Sequence, residues 1–189
     1  EFATKPTARQ YSQRLLRYVV NRWGYSPHLV MWELFNEIDI SDIQPADARP
    51  WITQTSQFLR SIDPNRRPIT VSFHHESPEE VWSSPAIDVI QLHLYERRDF
   101  AELLCGPMID ELRQEYQKPV MVGEFGWMTD VVRQMDHEGI HLHDGLWSSL
   151  MGGSANGALI WYWDLYVHPN RLERHFGAVS KFWRGEEIS

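Results

Sequence analysis

Apolar positions along the chain fall into two alternating patterns. Between Thr7 and Trp23, Tyr11, Leu15, Tyr18, Val19 and Trp23 recur at spacings of three and four, which predicts an amphipathic helix closed by Gly24 and Pro27. Leu29 to Phe35 is a short, mainly apolar run bounded by turn formers and reads as a buried strand. A polar stretch with Pro45 and Pro50 follows, then a helical pattern from Trp51 to Ile62, the stop signal Asp63-Pro64-Asn65 and a second apolar run, Ile69 to Phe73. The unit then repeats. A short helix at Glu79 to Trp82 leads to a strand at Val89 to Leu94, and a longer helix at Phe100 to Tyr116 leads to a strand at Val120 to Gly123. Leu142 to Met151 reads as helix, Ala158 to Trp163 as the fifth strand and Val179 to Phe182 as a closing helix.

Strands that alternate with helices and are nearly all apolar indicate a parallel sheet covered on its outer side, hence an α/β fold. No repeat of fixed period, low-complexity tract or linker divides the chain, so residues 1–189 are expected to form a single domain. That length is below the roughly 250 residues typical of a complete eight-stranded α/β barrel.

Composition narrows the partners. No apolar run approaches the roughly 20 residues of a membrane helix, which argues against a membrane-spanning segment. The 26 acidic and 18 basic residues give a formal charge of -8, which would repel a phosphate backbone, so no nucleic-acid partner is expected. The single cysteine, Cys105, can form neither an intrachain disulfide nor a multi-thiolate zinc site. The N-terminus lacks an initiator Met and a targeting pattern, and reads as a processed or cut end. Nine Trp supply flat faces that bury well and also stack on sugars.

Chemistry enters where strands end. The first strand runs into Trp32-Glu33-Leu34-Phe35-Asn36-Glu37 and the fourth into Val122-Gly123-Glu124-Phe125-Gly126-Trp127, and α/β sheets and barrels put ligand sites at such C-terminal ends. Two carboxyls about 5 Å apart can split a glycosidic bond, one attacking the anomeric carbon while the other, protonated, supplies the leaving oxygen with a proton. Their mutual repulsion helps to keep one of them protonated. Strand-end glutamates that are merely solvated or ion-paired are the plain alternative for either residue alone.

These residues resemble a family. The Asn36-Glu37 pair, His93-Leu94-Tyr95 at a strand end, Gly123-Glu124-Phe125-Gly126 and Trp161 on the last strand are similar to the clan A glycoside hydrolases, particularly family 5 cellulase and mannanase relatives. The resemblance implies a partial TIM (β/α)8-type barrel of about five parallel strands with outer helices, corresponding to the fourth to eighth strands, with the first three absent. It implies a retaining hydrolase of β-linked glycans with Glu37 as general acid/base and Glu124 as nucleophile. Asn36 would bind the 2-hydroxyl of the sugar being cleaved, Tyr95 would hold the nucleophile's oxygen and His93 would line the site. Trp127, Trp161 and Trp163 would contact substrate, although Trp161 and Trp163 could equally be core. No metal or organic cofactor is implied, and secretion or a periplasmic location is suggested by the resemblance alone. An open set of five strands would expose apolar edges at Leu29 to Phe35 and Ala158 to Trp163, so self-association or a complementing chain is expected unless the missing strands were lost by truncation.

Two other readings compete. His137-Glu138-Gly139-Ile140-His141 fits the zinc-peptidase pattern H-E-x-x-H, in which two imidazoles one helical turn apart hold zinc, though Gly139 is costly inside a helix. A non-catalytic carbohydrate-binding fragment would use the same aromatics and hydrolyse nothing. His141 and His143 are expected in the loop after the Glu124 strand, at the lip of the cleft, where they could touch sugar or be solvated; His74-His75, at the end of the second strand, are open to the same two readings, with surface solvation the plainer one. Glu33, two pleats below the strand end, is expected to be a buried structural hydrogen-bonder.

Overall fold

A computed structural model describes residues 2–74, 79–95, 100–127 and 135–184. The chain divides into two compact units, residues 1–91 and 92–189.

In the first unit, helix α1 (Pro6–Trp23) opens on a proline, whose missing N–H is not needed in a first turn, and closes at Gly24. Its position agrees with the periodicity, but its facing does not. Val20 is its one buried residue, while Tyr11, Leu15, Tyr18 and Trp23 are exposed. Helix α2 (Pro45–Ile62) begins six residues before the predicted start. Pro45 occupies the first turn, where proline fits, and Pro50 forgoes one backbone bond inside the helix without ending it.

Strand β1 (Trp32–Glu33) pairs in parallel with β2 (Ile69–Thr70), Trp32 opposite Ile69 and Glu33 opposite Thr70. Both are shorter than the apolar runs suggested. Upstream of β1 the Leu29 carbonyl accepts a bond from the Arg67 guanidinium, and downstream the chain turns out of the ladder at Glu37. Two clusters fill this unit: Val20, Trp32, Leu59 and Ile69, and a larger one containing Ile38, Trp51, Ile52, Val71, Phe73 and Ile87. The short helix α3 (Glu79–Trp82) adds Val81 to the second.

Asp63, at the end of α2, ties the unit together. Its carboxylate accepts the Trp32 indole N–H at 2.9 Å, the backbone N–H groups of Asn65 and Arg67, and the Arg67 guanidinium at 3.0 Å. Both members of the ion pair are buried. Burial alone would raise the Asp63 pKa, but the Trp32 and backbone hydrogen bonds and the Arg67 charge outweigh it and leave the carboxyl below its ordinary value. Arg67 also donates to the carbonyls of Gly24 and Ser26, which fixes the exit of α1.

The units divide within strand β3 (Ile90–Leu94). In the second unit β3 neighbours β4 (Val120–Phe125), two residues longer at its C-terminus than the apolar run. The helix predicted over Phe100 to Tyr116 is two helices, α4 (Phe100–Leu104) and α5 (Met108–Tyr116), interrupted where Gly106 and Pro107 weaken helical bonding. Helix α6 (Ile140–Met151) and helix α7 (Glu173–Trp183) complete the unit.

The fifth strand is reduced to one parallel bridge, Ile160 opposite Phe125, after which Trp163–Val167 form a π-helical turn. Strand alternation nevertheless survives: Ala158, Ile160 and Tyr162 are buried while Leu159, Trp161 and Trp163 are exposed. Gly126 permits this packing, because a β-carbon there would lie 2.6 Å from the Tyr162 ring. Among the described residues no helix is long and apolar enough to cross a membrane.

Candidate active site

The first unit carries Asn36 and Glu37 just past β1. Asn36 is exposed and Glu37 is buried. Glu37 has φ 49° and ψ 60°, a left-handed conformation that a side-chain-bearing residue adopts only when its surroundings enforce it. A one-turn 3-10 helix, Ile38–Ile40, follows directly, so Glu37 is a corner between strand and helix. The His74 ring approaches the Glu37 carboxyl, Nδ1 to Oε1, at 3.2 Å. The His74 backbone N–H is anchored on Asp39 Oδ1 at 2.7 Å.

His74 was expected on the solvated surface; it is half exposed but touches the candidate carboxyl. Its position at the end of a strand run was the available signal. His75 lies outside the described residues. Glu33 is a hydrogen-bonder, as expected, accepting from Ser72 at 2.6 Å and Gln91 at 2.9 Å, but it is exposed and not buried. A two-residue strand gives no depth for a position two pleats back to sink into.

The second unit carries Glu124 inside β4, one residue before the strand ends. The Tyr95 hydroxyl donates to Glu124 Oε2, and His93 Nδ1 lies 3.5 Å from the same oxygen. The His93 imidazole is fully buried, so it lines the carboxylate from below. Both groups thus approach the same oxygen, Oε2, of Glu124. Trp161 and Trp163 are 51% and 67% exposed, which removes the core-packing alternative for both. Trp127 is partly exposed, and its backbone N–H donates to His141 Nε2 at 3.2 Å.

His141 and His143 lie on α6 and not in a loop. The His141 ring packs within about 5 Å of the Phe100 and Phe125 rings, and burial lowers its pKa to about 4 despite the nearby Asp136 charge. It is thus a neutral acceptor for Trp127. Asp136 caps α6 from outside, taking the backbone N–H groups of Gly139, Ile140 and His141 and the Tyr166 hydroxyl. Burial would raise the Asp136 pKa, but these four donors hold it below its ordinary value. Burial first, and then the hydrogen bond to the Asp136 carboxylate and its charge, raise the pKa of Tyr166.

The zinc-peptidase pattern is not realised. Gly139, at φ 81°, is the left-handed residue preceding α6, so His137 and Glu138 precede the helix while His141 is its second residue. The His137 ring bonds to Asn170 and His141 Nε2 is taken by Trp127, so the two imidazoles do not form one helical face. Sequence spacing could not reveal this, because a glycine that is poor within a helix is favourable just before one.

Parallel pairing of β1 with β2 and of Phe125 with Ile160, with short strands alternating with helices, is the pattern of a partial (β/α)8-type barrel. The chain is 26% identical over 213 residues to putative mannan endo-1,4-beta-mannosidase 4 of Arabidopsis thaliana, covering 85% of this chain and 51% of that protein. It is 31% identical over 113 residues to probable mannan endo-1,4-beta-mannosidase F of Neosartorya fischeri, covering 58% of this chain and 23% of that protein. The endo-beta-1,4-mannanase of Thermotoga petrophila shares the fold, with a TM-score of 0.57 at 17% identity over 85% of this chain and 42% of that one. No family model matches. The chain is thus similar in sequence to mannan endo-1,4-beta-mannosidases and spans about half the length of the curated relatives it matches first.

Proposed function

We propose that this chain supplies the catalytic carboxylates of a retaining β-glycoside hydrolase acting on a β-1,4-linked mannan-type glycan. The observation that carries the reading is the seat of Glu124: a strand-end carboxylate with one oxygen engaged by a phenol and flanked by a buried imidazole. The free oxygen of Glu124 attacks the anomeric carbon as the bond to the leaving sugar oxygen breaks, and Glu37 gives that oxygen its proton. In the second step Glu37, now a carboxylate, takes a proton from water, whose oxygen displaces Glu124 from the anomeric carbon.

Asn36, exposed next to Glu37, is the donor for the 2-hydroxyl of the sugar under attack. The exposed indoles of Trp161 and Trp163 are the stacking faces for the apolar side of a pyranose, and Trp127 is a further exposed aromatic contact for substrate. Mannan as the substrate follows from the likeness to mannan endo-1,4-beta-mannosidases and is tested directly. Aryl β-mannoside and mannan hydrolysis are measured with the anomeric configuration of the product followed by NMR; retention supports the mechanism. A crystal structure with the two carboxyls about 6.5 to 9.5 Å apart, instead of about 5 Å, would assign inversion.

The exposure of Trp161 and Trp163 also favours a second reading, a carbohydrate-binding unit without turnover. Calorimetric binding of mannohexaose with no aryl release, unchanged in Glu124→Ala, would select it.

A further inference from the structure

Glu37 occupies an unfavourable backbone conformation, and one residue grips both sides of it. The backbone N–H of Ser72 donates to the Phe35 carbonyl at 3.3 Å, and the Ser72 carbonyl accepts the Ile38 N–H at 3.1 Å. Between these two bonds the Ser72 hydroxyl accepts the N–H of Glu37 itself at 2.8 Å. Ser72 is fully buried, just beyond β2, so this grip is tied to the unit's core.

A serine hydroxyl has one proton, and where that proton goes decides whether the oxygen can accept a bond along the Glu37 direction. Here the proton is committed: the hydroxyl donates to Glu33 Oε1 at 2.6 Å, a carboxylate oxygen that also takes the Gln91 side-chain N–H. The commitment turns a lone pair of Ser72 toward Glu37. An acidic residue with no part in the proposed bond cleavage thereby acquires a physical reason to stand four residues before one that has.

We propose that Ser72, oriented by Glu33, is the positioning residue that locks Glu37 in the left-handed conformation from which its carboxyl protonates the leaving oxygen. The inference rests on the proposed acid/base role of Glu37. Loss of the clamp lets residues 36–38 relax toward commoner backbone angles, which moves the carboxyl away from the leaving group and leaves Glu124 where it is.

The test compares two probes on the full chain: mannohexaose, whose leaving group must be protonated, and 2,4-dinitrophenyl β-mannobioside, whose leaving group needs no acid. Ser72→Ala is expected to lose about 10- to 100-fold in kcat/KM on mannohexaose and less than about threefold in kcat/KM on the dinitrophenyl probe, since kcat/KM reports the bond-cleaving step alone. Ser72→Thr, which keeps a hydroxyl, stays near the parent on both. Equal losses on the two probes, or none on either, would overturn the clamp. Glu37→Ala must show the same asymmetry, and its absence would count against the acid/base reading instead.

Amide hydrogen exchange tests the clamp without turnover. The Glu37 N–H is expected to exchange at least about tenfold faster in Ser72→Ala and in Glu33→Leu, and near the parent rate in Glu33→Gln, which keeps an acceptor oxygen. The Leu34 N–H, bonded to Thr70, is the internal control. Unchanged exchange at Glu37 in Glu33→Leu removes Glu33 from the proposal, and unchanged exchange in Ser72→Ala removes the proposal.

Discussion

Glu37 and Glu124 are held by opposite means. Around Glu37 the backbone is fixed: a left-handed corner gripped by Ser72 on three sides. Glu124 lies in ordinary strand geometry, and its carboxylate is fixed by the Tyr95 hydroxyl with His93 behind it. A backbone grip leaves a carboxyl able to gain and lose a proton without rebuilding its anchor. A phenol donor instead commits one oxygen and orients the other, which suits a group that forms a covalent bond. The two units are also scaffolded differently, one by a buried Asp63–Arg67 pair and the other by Asp136 at the start of α6.

The comparison can be broken at several depths. The largest effect is expected for Glu124→Ala, a loss of at least about 10³-fold in kcat on both an aryl mannoside and mannohexaose, since no other group can replace the proposed nucleophile. A loss confined to mannohexaose would exchange the two proposed roles. Next is Arg67→Ala, which strands the buried Asp63 carboxylate and is expected to cost about 3–5 kcal/mol in urea unfolding. A cost under about 1 kcal/mol would show that Asp63 is not the tie of the first unit.

The third concerns pH. His141 binds its proton only near pH 4 when folded but near its ordinary 6.5 when unfolded, so its contribution is intact above pH 6.5 and is lost as pH falls from 6.5 toward 4. The loss is at most about 3 kcal/mol. Asp63 and Asp136 have lowered values, so their contributions are present above the ordinary carboxyl value and fade only as pH drops below it. Hydrogen exchange at pH 5 should therefore open the second unit before the first, and His141→Gln should remove the difference. Simultaneous opening of both units in the parent would refute the assignment. The smallest effect is expected for Trp163→Ala, about a five- to tenfold rise in KM for mannohexaose with kcat within about twofold, as for a lost stacking face of about 1 kcal/mol. An equal fall in kcat would mean that Trp163 serves the transition state.

Element types were legible because periodicity is a local property. The helices at α1, α2, α3 and α6 and the parallel neighbours β1 and β2 follow from it. Element ends were less so: Pro45 and Pro50 look like coil until the chain shows that the first turn of a helix tolerates them. Likewise, Gly106-Pro107 splits a run whose apolar spacing continues through it. In the site, Glu37, Glu124, His93 and Tyr95 were visible as strand-end residues of the right chemical kind. His74 and Ser72 were not, because neither serine nor a paired histidine carries a distinguishing spacing, and His141 was mistaken for a loop residue because the apolar pattern begins only at Leu142, whereas the Asp136 cap starts the helix two residues earlier and the rings that bury His141, Phe100 and Phe125, are distant in sequence.

By itself, the sequence determined which segments are helix or strand, which residues stand at strand ends, and that two of those residues are glutamates preceded by Asn36 and Gly123. These are consequences of side-chain period and order, which a linear chain carries in full. Only the tertiary structure decided that Glu37 adopts a left-handed backbone, that Tyr95 and His93 converge on one oxygen of Glu124, and that the H-E-x-x-H pattern is cut by a helix start. Each of those outcomes depends on hydrogen-bond donors brought together from segments at least fourteen residues apart or on a backbone angle that a neighbouring strand must enforce. Neither is written in the spacing of a single segment.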